Sequence, residues 1–270
     1  MSRKDFNTEW RKVASAIYTK PVDSKILGSV EIDVTDLEKY ILEKRKRGLK
    51  ITPTHVFTLI LARGLKEEVP ELNSYVKRGK IVHKDTVDAM ISVLIQGEQM
   101  SSVRVPSAEN MTLSDLAVFL TENIKETRSG QESKAMRKKG MLARIPWPFR
   151  RGVYKIIKLI TIDWGLSIGG LSASNYGSFV VANIGTVGLD VGFPALFPSS
   201  NVAIVVTMGG IYKKPVVIDD KIVVRRIMNI SAALDHRVVD ASHGGKLFRY
   251  IKRLVKTPEL LEEKPEWTKI

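Results

Sequence analysis

The sequence predicts an α+β fold, because strand-like and helix-like segments alternate along the chain and neighbouring strand-like segments dominate its last third. A length of 270 residues with 44% hydrophobic residues is enough to bury a substantial core. The sequence contains no internal repeat and no low-complexity linker. We therefore expect residues 1–270 to form one domain.

The first elements predicted are a strand and two helices. A strand-like run at 26–34 leads into a helix that Thr35 and Glu38 would start as a capping box. The second helix begins with Thr52 as its N-cap and Pro53 in its first turn. Its apolar residues nearly encircle it, so it should be buried.

The remaining elements follow from the same periodicities of two and 3.6 residues. We predict three short strands within 72–95 and an amphipathic helix over 112–128. Strands dominate from residue 178, with a hairpin turning at Asp219-Asp220. An amphipathic helix over 244–255 completes the predicted elements.

Charge and composition limit the possible partners and chemistry. The 43 basic and 29 acidic residues give a net charge of +14, which favours a phosphate-bearing cofactor, an acidic carrier protein, an anionic membrane or nucleic acid. The absence of cysteine excludes disulfides and thiolate chemistry. The four histidines are not spaced as a zinc set, so we predict no metal. No secretory signal pattern opens the chain, so a cytoplasmic location is expected.

A basic insertion is predicted at about 131–170. Its stretch 133–162 holds nine Lys or Arg residues and no acid, with aromatic residues among them. It is either a solvated surface or a contact with an anionic membrane or an acidic partner such as an acyl-carrier protein. No nucleic-acid motif is recognisable, so we predict no nucleic-acid partner. The candidate contact residues are Arg150, Arg151, Lys155 and Lys158.

The stretch "LDHRVVDAS" near the end of the chain is the main candidate for chemistry. His236 is available as a general base at neutral pH if its tautomer is fixed. Asp240 can pair with Arg237 or another cation and shape the turn, while the backbone carbonyl of His236 can accept from the ring. Asp235 and Arg237 are candidate orienting residues. By spacing alone, a histidine at a strand end is more often a structural residue than a catalyst.

A family resemblance adds to this reading. The segment "PVVIDDKIVVRRIMNISAALDHRVVDASHGGKLFRYIKRLVKTPELL" closely resembles the C-terminal part of the dihydrolipoamide acyltransferases of 2-oxoacid dehydrogenase complexes, whose signature is DHRxxDG. "GSFVVANIGTVGLD" and "FPSSNVAIVVTMGGI" resemble their GTFTxSNxGxxG and NPPQxAILxxG segments. The likeness covers about 26–130 and 171–262.

The resemblance implies a chloramphenicol acetyltransferase-like fold, a two-layer sandwich with a mixed sheet and helices on one face. It also implies a homotrimer with a site at each interface. By motif position, His236 is the general base and Asp240 orients it. The expected reaction moves an acyl group from a coenzyme A or carrier thioester to a thiol or hydroxyl acceptor.

Two family positions differ in this sequence. Ala182 stands where the family has an oxyanion-stabilising Ser or Thr, directly before Asn183, and Ala241 replaces the motif glycine. If that glycine has positive φ, alanine is strained there. Substitute donors are Asn183 and two serines, Ser174 and Ser178. The alternative is a trimeric scaffold or partner-binding protein that lacks catalysis.

The sequence shows no lipoyl or subunit-binding module, and Lys221 in "DDK" is expected to lie in a hairpin instead of carrying covalent lipoyl. We therefore expect a stand-alone, divergent acyltransferase outside the dehydrogenase complexes.

Overall fold

The computed structural model describes residues 24–94, 100–128, 149–167, 172, 176–196 and 200–268. Eight strands form a six-stranded sheet and a separate two-stranded hairpin in this part of the chain. The strands are β1 (Lys25–Asp33), β2 (Ser74–Lys77), β3 (Lys80–His83), β4 (Ala89–Leu94), β5 (Met100–Val105), β6 (Phe179–Asn183), β7 (Ile204–Ile218) and β8 (Lys221–Asp235).

The α-helices are α1 (Thr35–Lys46), α2 (Pro53–Arg63), α3 (Leu113–Arg128), α4 (Phe149–Lys158) and α5 (Ala241–Leu254). Two of them continue into a π-helical turn, α2 over Gly64–Glu68 and α4 over Leu159–Asp163. Short 3₁₀ turns lie at Pro70–Asn73, Ala108–Asn110, Gly185–Val187, Pro258–Leu261 and Glu266–Thr268.

The large sheet is mixed, with strand order β1-β8-β7-β6-β4-β5. β6 runs parallel to both of its neighbours, whereas β1–β8, β7–β8 and β4–β5 are antiparallel. This arrangement confirms the predicted α+β class. β7 and β8 are consecutive strands joined by a tight turn, whereas β1 pairs with β8 from the opposite end of the chain.

Alternating side chains divide the sheet between two hydrophobic clusters. Val181 and Val206 point into the larger cluster, which the helices α1, α2, α3 and α5 complete. Val180 and Val205, one residue earlier in each strand, point into a smaller cluster on the other face, where loop residues such as Leu196 cover them. These four helices therefore pack on one face, as the resemblance implies.

The structure corrects the predicted start of α1. No side-chain cap bonds the first turn of this helix. The Thr35 hydroxyl instead donates to Asp33 at 2.6 Å and accepts from the backbone N–H of Arg226. Glu38 pairs with Arg226 at 2.7 Å. Both residues of the predicted capping box thus tie the helix start to β8, which sequence spacing could not indicate.

Strand β5 was not predicted, because the signal in its sequence is weak. Val103 and Val105 are buried, while Ser102 and Arg104 face solvent. Its pairing with β4 places Val103 opposite Ile91. Two inward apolar residues in a short, serine-rich run are too few for a periodicity argument.

The hairpin between β7 and β8 turns at Asp219 and Asp220, as predicted. Both residues have positive φ, 48° and 59°, which is the backbone of a two-residue type I′ turn. The two strand-like runs predicted before this turn form one long strand, β7, with a bulge between Met208 and Ile211. The loop after β6 passes over this bulge. A Cβ at Gly209 would lie 1.9 Å from the Asp190 carbonyl oxygen of that loop, so glycine is required at this position.

Among the helices of the described residues, none has the length and apolar content needed to span a bilayer.

We predict that Phe57→Ala lowers the free energy of unfolding by about 3–5 kcal/mol, because this fully buried ring fills the centre of α2 and leaves a cavity. Urea denaturation measures the change. Val118→Ala, at a position of α3 that is 58% exposed, should stay within about 0.5 kcal/mol of the wild type. Equal losses for the two variants would contradict the described core.

The buried imidazole of His55 should make stability depend on pH. Its Nδ1 accepts from the Thr52 backbone N–H at 3.2 Å, and burial lowers the pKa of His55 to about 4. The unfolded chain takes up this proton below about pH 6.5, so stability is full above that pH and declines as the pH falls toward 4.

We expect a loss of about 2 kcal/mol between about pH 7 and pH 5 from this group, measured by urea denaturation. His55→Gln should remove that share of the pH dependence. An unchanged slope in the variant would assign the effect to other groups.

Candidate active site

His236 lies in the turn that joins β8 to α5. The carbonyl of Asp235 accepts from the backbone N–H groups of Val238 and Val239, at 2.9 and 3.1 Å, which closes the turn. The His236 N–H donates to the Ser24 carbonyl at 2.7 Å. The imidazole is therefore carried by backbone fixed on both sides.

Asp235 and Arg237 form a bidentate ion pair across this turn. The Arg237 Nε and Nη2 donate to the two carboxylate oxygens at 2.9 and 2.6 Å, and its backbone N–H donates to Oδ1 at 3.1 Å. The side chains are 4% and 13% exposed, so the pair is nearly dry. The two predicted orienting residues thus hold each other and the turn, and through it they position His236.

The His236 ring has a defined orientation. Its Nδ1 lies 2.9 Å from the Val239 carbonyl oxygen and 3.4 Å from Asp240 Oδ1. A carbonyl can only accept, so in the neutral ring Nδ1 carries the proton and Nε2 the lone pair. The sequence predicted that the carbonyl of His236 itself would accept; this is wrong, because the turn brings Val239 to the ring. The side chain is 28% exposed.

Asp240 is the N-cap of α5. Its side chain accepts from the N3 backbone N–H, and His243 Nδ1 accepts from the Asp240 N–H at 3.1 Å. Arg237 pairs with Asp235 and not with Asp240 as was considered from the sequence, because it points back along the turn. Asp240 thus combines a helix cap with a carboxylate close to the His236 ring.

Ala241 causes no backbone strain. It is the first residue of α5 and is not among the non-glycine residues with positive φ. The concern that alanine would be strained at the family's glycine position is therefore removed in this chain.

Asn183 lies at the other end of the sheet from His236. It pairs with Met208 of β7, which pairs with Ile230 of β8. His236 follows Ile230 by six positions, which corresponds to roughly 20 Å along a strand at about 3.3 Å per residue. The two side chains cannot meet within one chain.

A threonine that was not predicted lies beside Asn183. The Asn183 Nδ2 is 3.5 Å from the Thr54 hydroxyl, in the first turn of α2. Both residues are half-buried. The neighbouring Ala182 has no polar atom in its side chain. The two residues are 129 positions apart in the chain, so only the tertiary structure could reveal the pair.

The two serines considered as oxyanion donors differ in position. Ser178 is 1% exposed, and its hydroxyl donates to the Thr86 carbonyl while accepting from the Asp88 N–H. Its proton is used to hold β6 against β4, so this position does not support a role as oxyanion donor. Ser174 lies outside the described residues.

A cavity of about 590 Å³ opens beside the histidine turn. Arg237 contributes one wall, and the end of the α4 segment contributes another through Ile162 and Trp164. The β2–β3 turn supplies the rest through Arg78 and its neighbours. Ile162 and Trp164, within the predicted basic insertion, thus line a cavity to which Arg237 of the histidine turn also contributes.

The predicted contact lysines Lys155 and Lys158 lie on α4, the first exposed and the second half-buried. Arg150 and Arg151 belong to its first turn. In the part of the chain that the structure describes, no three His, Asp or Glu side chains are grouped as metal ligands.

Comparison with known proteins finds similarity over part or most of this chain. Residues 171–262 match the family model described as 2-oxoacid dehydrogenases acyltransferase (catalytic domain). The lipoamide acyltransferase component of the branched-chain alpha-keto acid dehydrogenase complex of Bacillus subtilis is 25% identical over 241 residues. That alignment covers 87% of this chain but 46% of the relative, so the chain spans about half the relative's length.

Two solved structures share the fold. A probable dihydrolipoamide acetyltransferase from Listeria monocytogenes has a TM-score of 0.66 and 22% identity, covering 92% of this chain and 88% of its own. Chloramphenicol acetyltransferase has a TM-score of 0.52 and 13% identity, covering 93% and 98%. The resemblance predicted from the sequence is thus confirmed: this chain has the chloramphenicol acetyltransferase-like fold and, over residues 171–262, the catalytic-domain pattern of the 2-oxoacid dehydrogenase acyltransferases.

Proposed function

We propose that this protein is a cytoplasmic, homotrimeric acyltransferase with His236 as its general base. The donor is an acyl thioester of coenzyme A or of a carrier protein, and the acceptor is a thiol or hydroxyl. The observation that carries the proposal is the His236 ring, whose Nδ1 faces the Val239 carbonyl while more than a quarter of the side chain is exposed. A merely structural histidine has no need of that exposure.

The fixed tautomer determines the direction of proton transfer. Nε2 takes the proton of the acceptor hydroxyl or thiol as that group attacks the thioester carbonyl carbon. The tetrahedral intermediate then collapses by breaking the carbon–sulfur bond, and the imidazolium returns the proton to the departing thiolate. Asp240, 3.4 Å from Nδ1, stabilises the transient imidazolium through its charge.

The oxyanion donor is proposed to come from a neighbouring subunit. Ala182 cannot donate, and a missing donor costs about 10²–10³ in rate. The Asn183 amide and the Thr54 hydroxyl form a polar pair at that end of the sheet, where they are half-buried and close together. The separation of roughly 20 Å from His236 in the same chain supports a site built from two chains.

Exposed apolar side chains near Asn183 support the same assembly. The loop after β6 leaves four of them 47–55% exposed: Val187, Leu189, Val191 and Phe193. The tip of the β7–β8 hairpin exposes Val217, Ile222 and Val224 to a greater degree. Apolar patches of this kind mark subunit contacts more often than free surface.

The alternative function is a trimeric scaffold or partner-binding protein without catalysis. Ala182 favours it, because the residue that supplies the family's hydroxyl is absent from this chain. The two functions differ in whether His236 is needed for thioester consumption.

We predict that His236→Ala lowers the rate of acyl-CoA consumption by about 10²–10⁴, because the general base is lost. Release of the free thiol of coenzyme A measures the rate against a panel of thiol and hydroxyl acceptors. His83→Ala, which changes a histidine of the β3 strand, is the matched control and should keep the wild-type rate. Equal rates for wild type and His236→Ala would favour the scaffold.

A complementation experiment tests the two-chain site. His236→Ala and Asn183→Ala should each be slow alone, but trimers refolded from an equal mixture should regain activity in about a quarter of their sites, where one chain supplies an intact His236 and its neighbour an intact Asn183. Thr54→Val in place of Asn183→Ala tests the hydroxyl in the same way. No recovery from a mixture that forms trimers would contradict the two-chain site.

A further inference from the structure

Helix α4 and the π-helical turn after it separate apolar and basic side chains. At about 100° per residue, Phe149, Val153 and Ile156 fall within about 60° of one another on the helix surface. Lys155 and Lys158 fall on the side away from them. The helix is thus amphipathic, with lysines in place of the usual mixed charges.

The apolar side of this helix is largely uncovered. Phe149 is 70% exposed and Ile156 59% exposed, although a helix with this pattern normally buries its apolar side in the core. The exposed apolar surface continues past the helix through Leu159, Trp164 and Leu166. Large apolar side chains that are exposed in a row mark a binding surface.

The contacts that attach this segment lie at its C-terminal end. Thr161 and Ile162 are buried, and the Arg78 backbone N–H of the β2–β3 turn donates to the Asp163 carbonyl at 3.2 Å. Phe149, at the start of α4, lies more than three helical turns before this point of attachment. Within the described residues, this attachment leaves Phe149 and Ile156 exposed, while Val153 between them is half-buried.

The charge of the segment has one sign. The α-helix contains Arg150, Arg151, Lys155 and Lys158 and no acidic residue. The first acidic residue after it is Asp163, at the end that joins the body of the protein. A partner for this surface must therefore offer negative charge beside an apolar region.

We propose that the α4 surface, made of Phe149, Lys155, Ile156, Lys158, Leu159 and Trp164, docks onto an anionic phospholipid bilayer. The helix would lie in the plane of the membrane surface, with its lysines among the phosphates and Phe149 and Ile156 at the boundary with the acyl chains. Trp164 has the amphipathic ring that favours this interface. An acidic protein surface would match the lysines alone, whereas an anionic bilayer matches both sides of the helix.

The test is cosedimentation of the full-length protein with vesicles of equimolar phosphatidylglycerol and phosphatidylcholine, compared with vesicles of phosphatidylcholine alone. We expect binding to the anionic vesicles only. Lys155→Gln/Lys158→Gln should weaken the partition coefficient by about 30-fold, at about fivefold per charge. Lys46→Gln/Lys50→Gln is the matched control, because it removes the same charge from two exposed lysines, the last residue of α1 and one in the loop after it.

A second variant tests the apolar side. Phe149→Ser/Ile156→Ser should weaken binding at least about tenfold, because side chains that leave water for the interface are lost. Both positions are exposed, so folding is expected to persist, and circular dichroism checks it.

Three outcomes would overturn the proposal. They are no binding to anionic vesicles, equal binding to both kinds of vesicle, or an equal loss in the Lys46→Gln/Lys50→Gln control. A protein that ignores vesicles but binds an acidic acyl-carrier protein through Lys155 and Lys158 would assign the surface to a protein partner instead.

Discussion

The nearly dry ion pair between Asp235 and Arg237 is the interaction on which the candidate site depends. It fixes the turn that ends the long strand β8 and begins α5, and that turn carries His236 between two anchored neighbours. Removing one partner from such a pair leaves an uncompensated charge, at a cost of about 3–5 kcal/mol. The ion pair that stabilises this turn is thus formed by the residues directly before and after His236.

The strand directions in the sheet determine where the proposed oxyanion donors lie relative to His236. β6 and β7 run parallel, and β8 returns antiparallel, so the carboxyl ends of β6 and β8 lie at opposite ends of the strands in this sheet. Asn183 ends the first and Asp235 ends the second. This topology separates the base from the polar pair at Asn183 and Thr54, and it makes assembly a condition of the proposed chemistry instead of an accessory to it.

Much of this could be predicted from local sequence. The α+β class, the buried α2, the turn at Asp219-Asp220 and the position of His236 all rest on short-range patterns. The features that were missed involve contacts between distant residues: Thr54 beside Asn183, Val239 as the acceptor for the ring, and Thr35 tied to β8. Strand β5 was missed for a different reason, because the alternation around Val103 and Val105 is too short to give a clear strand pattern.

In the proposed two-chain site, the separation of His236 from Asn183 has a genetic consequence. A chain that has lost only its imidazole would still fold, enter mixed trimers and occupy a place beside intact neighbours. Such an allele would inactivate sites in proportion to its abundance. An allele defective at Asn183 would inactivate a different set of sites. Two defective copies of this kind in one cell would therefore restore each other's function in part.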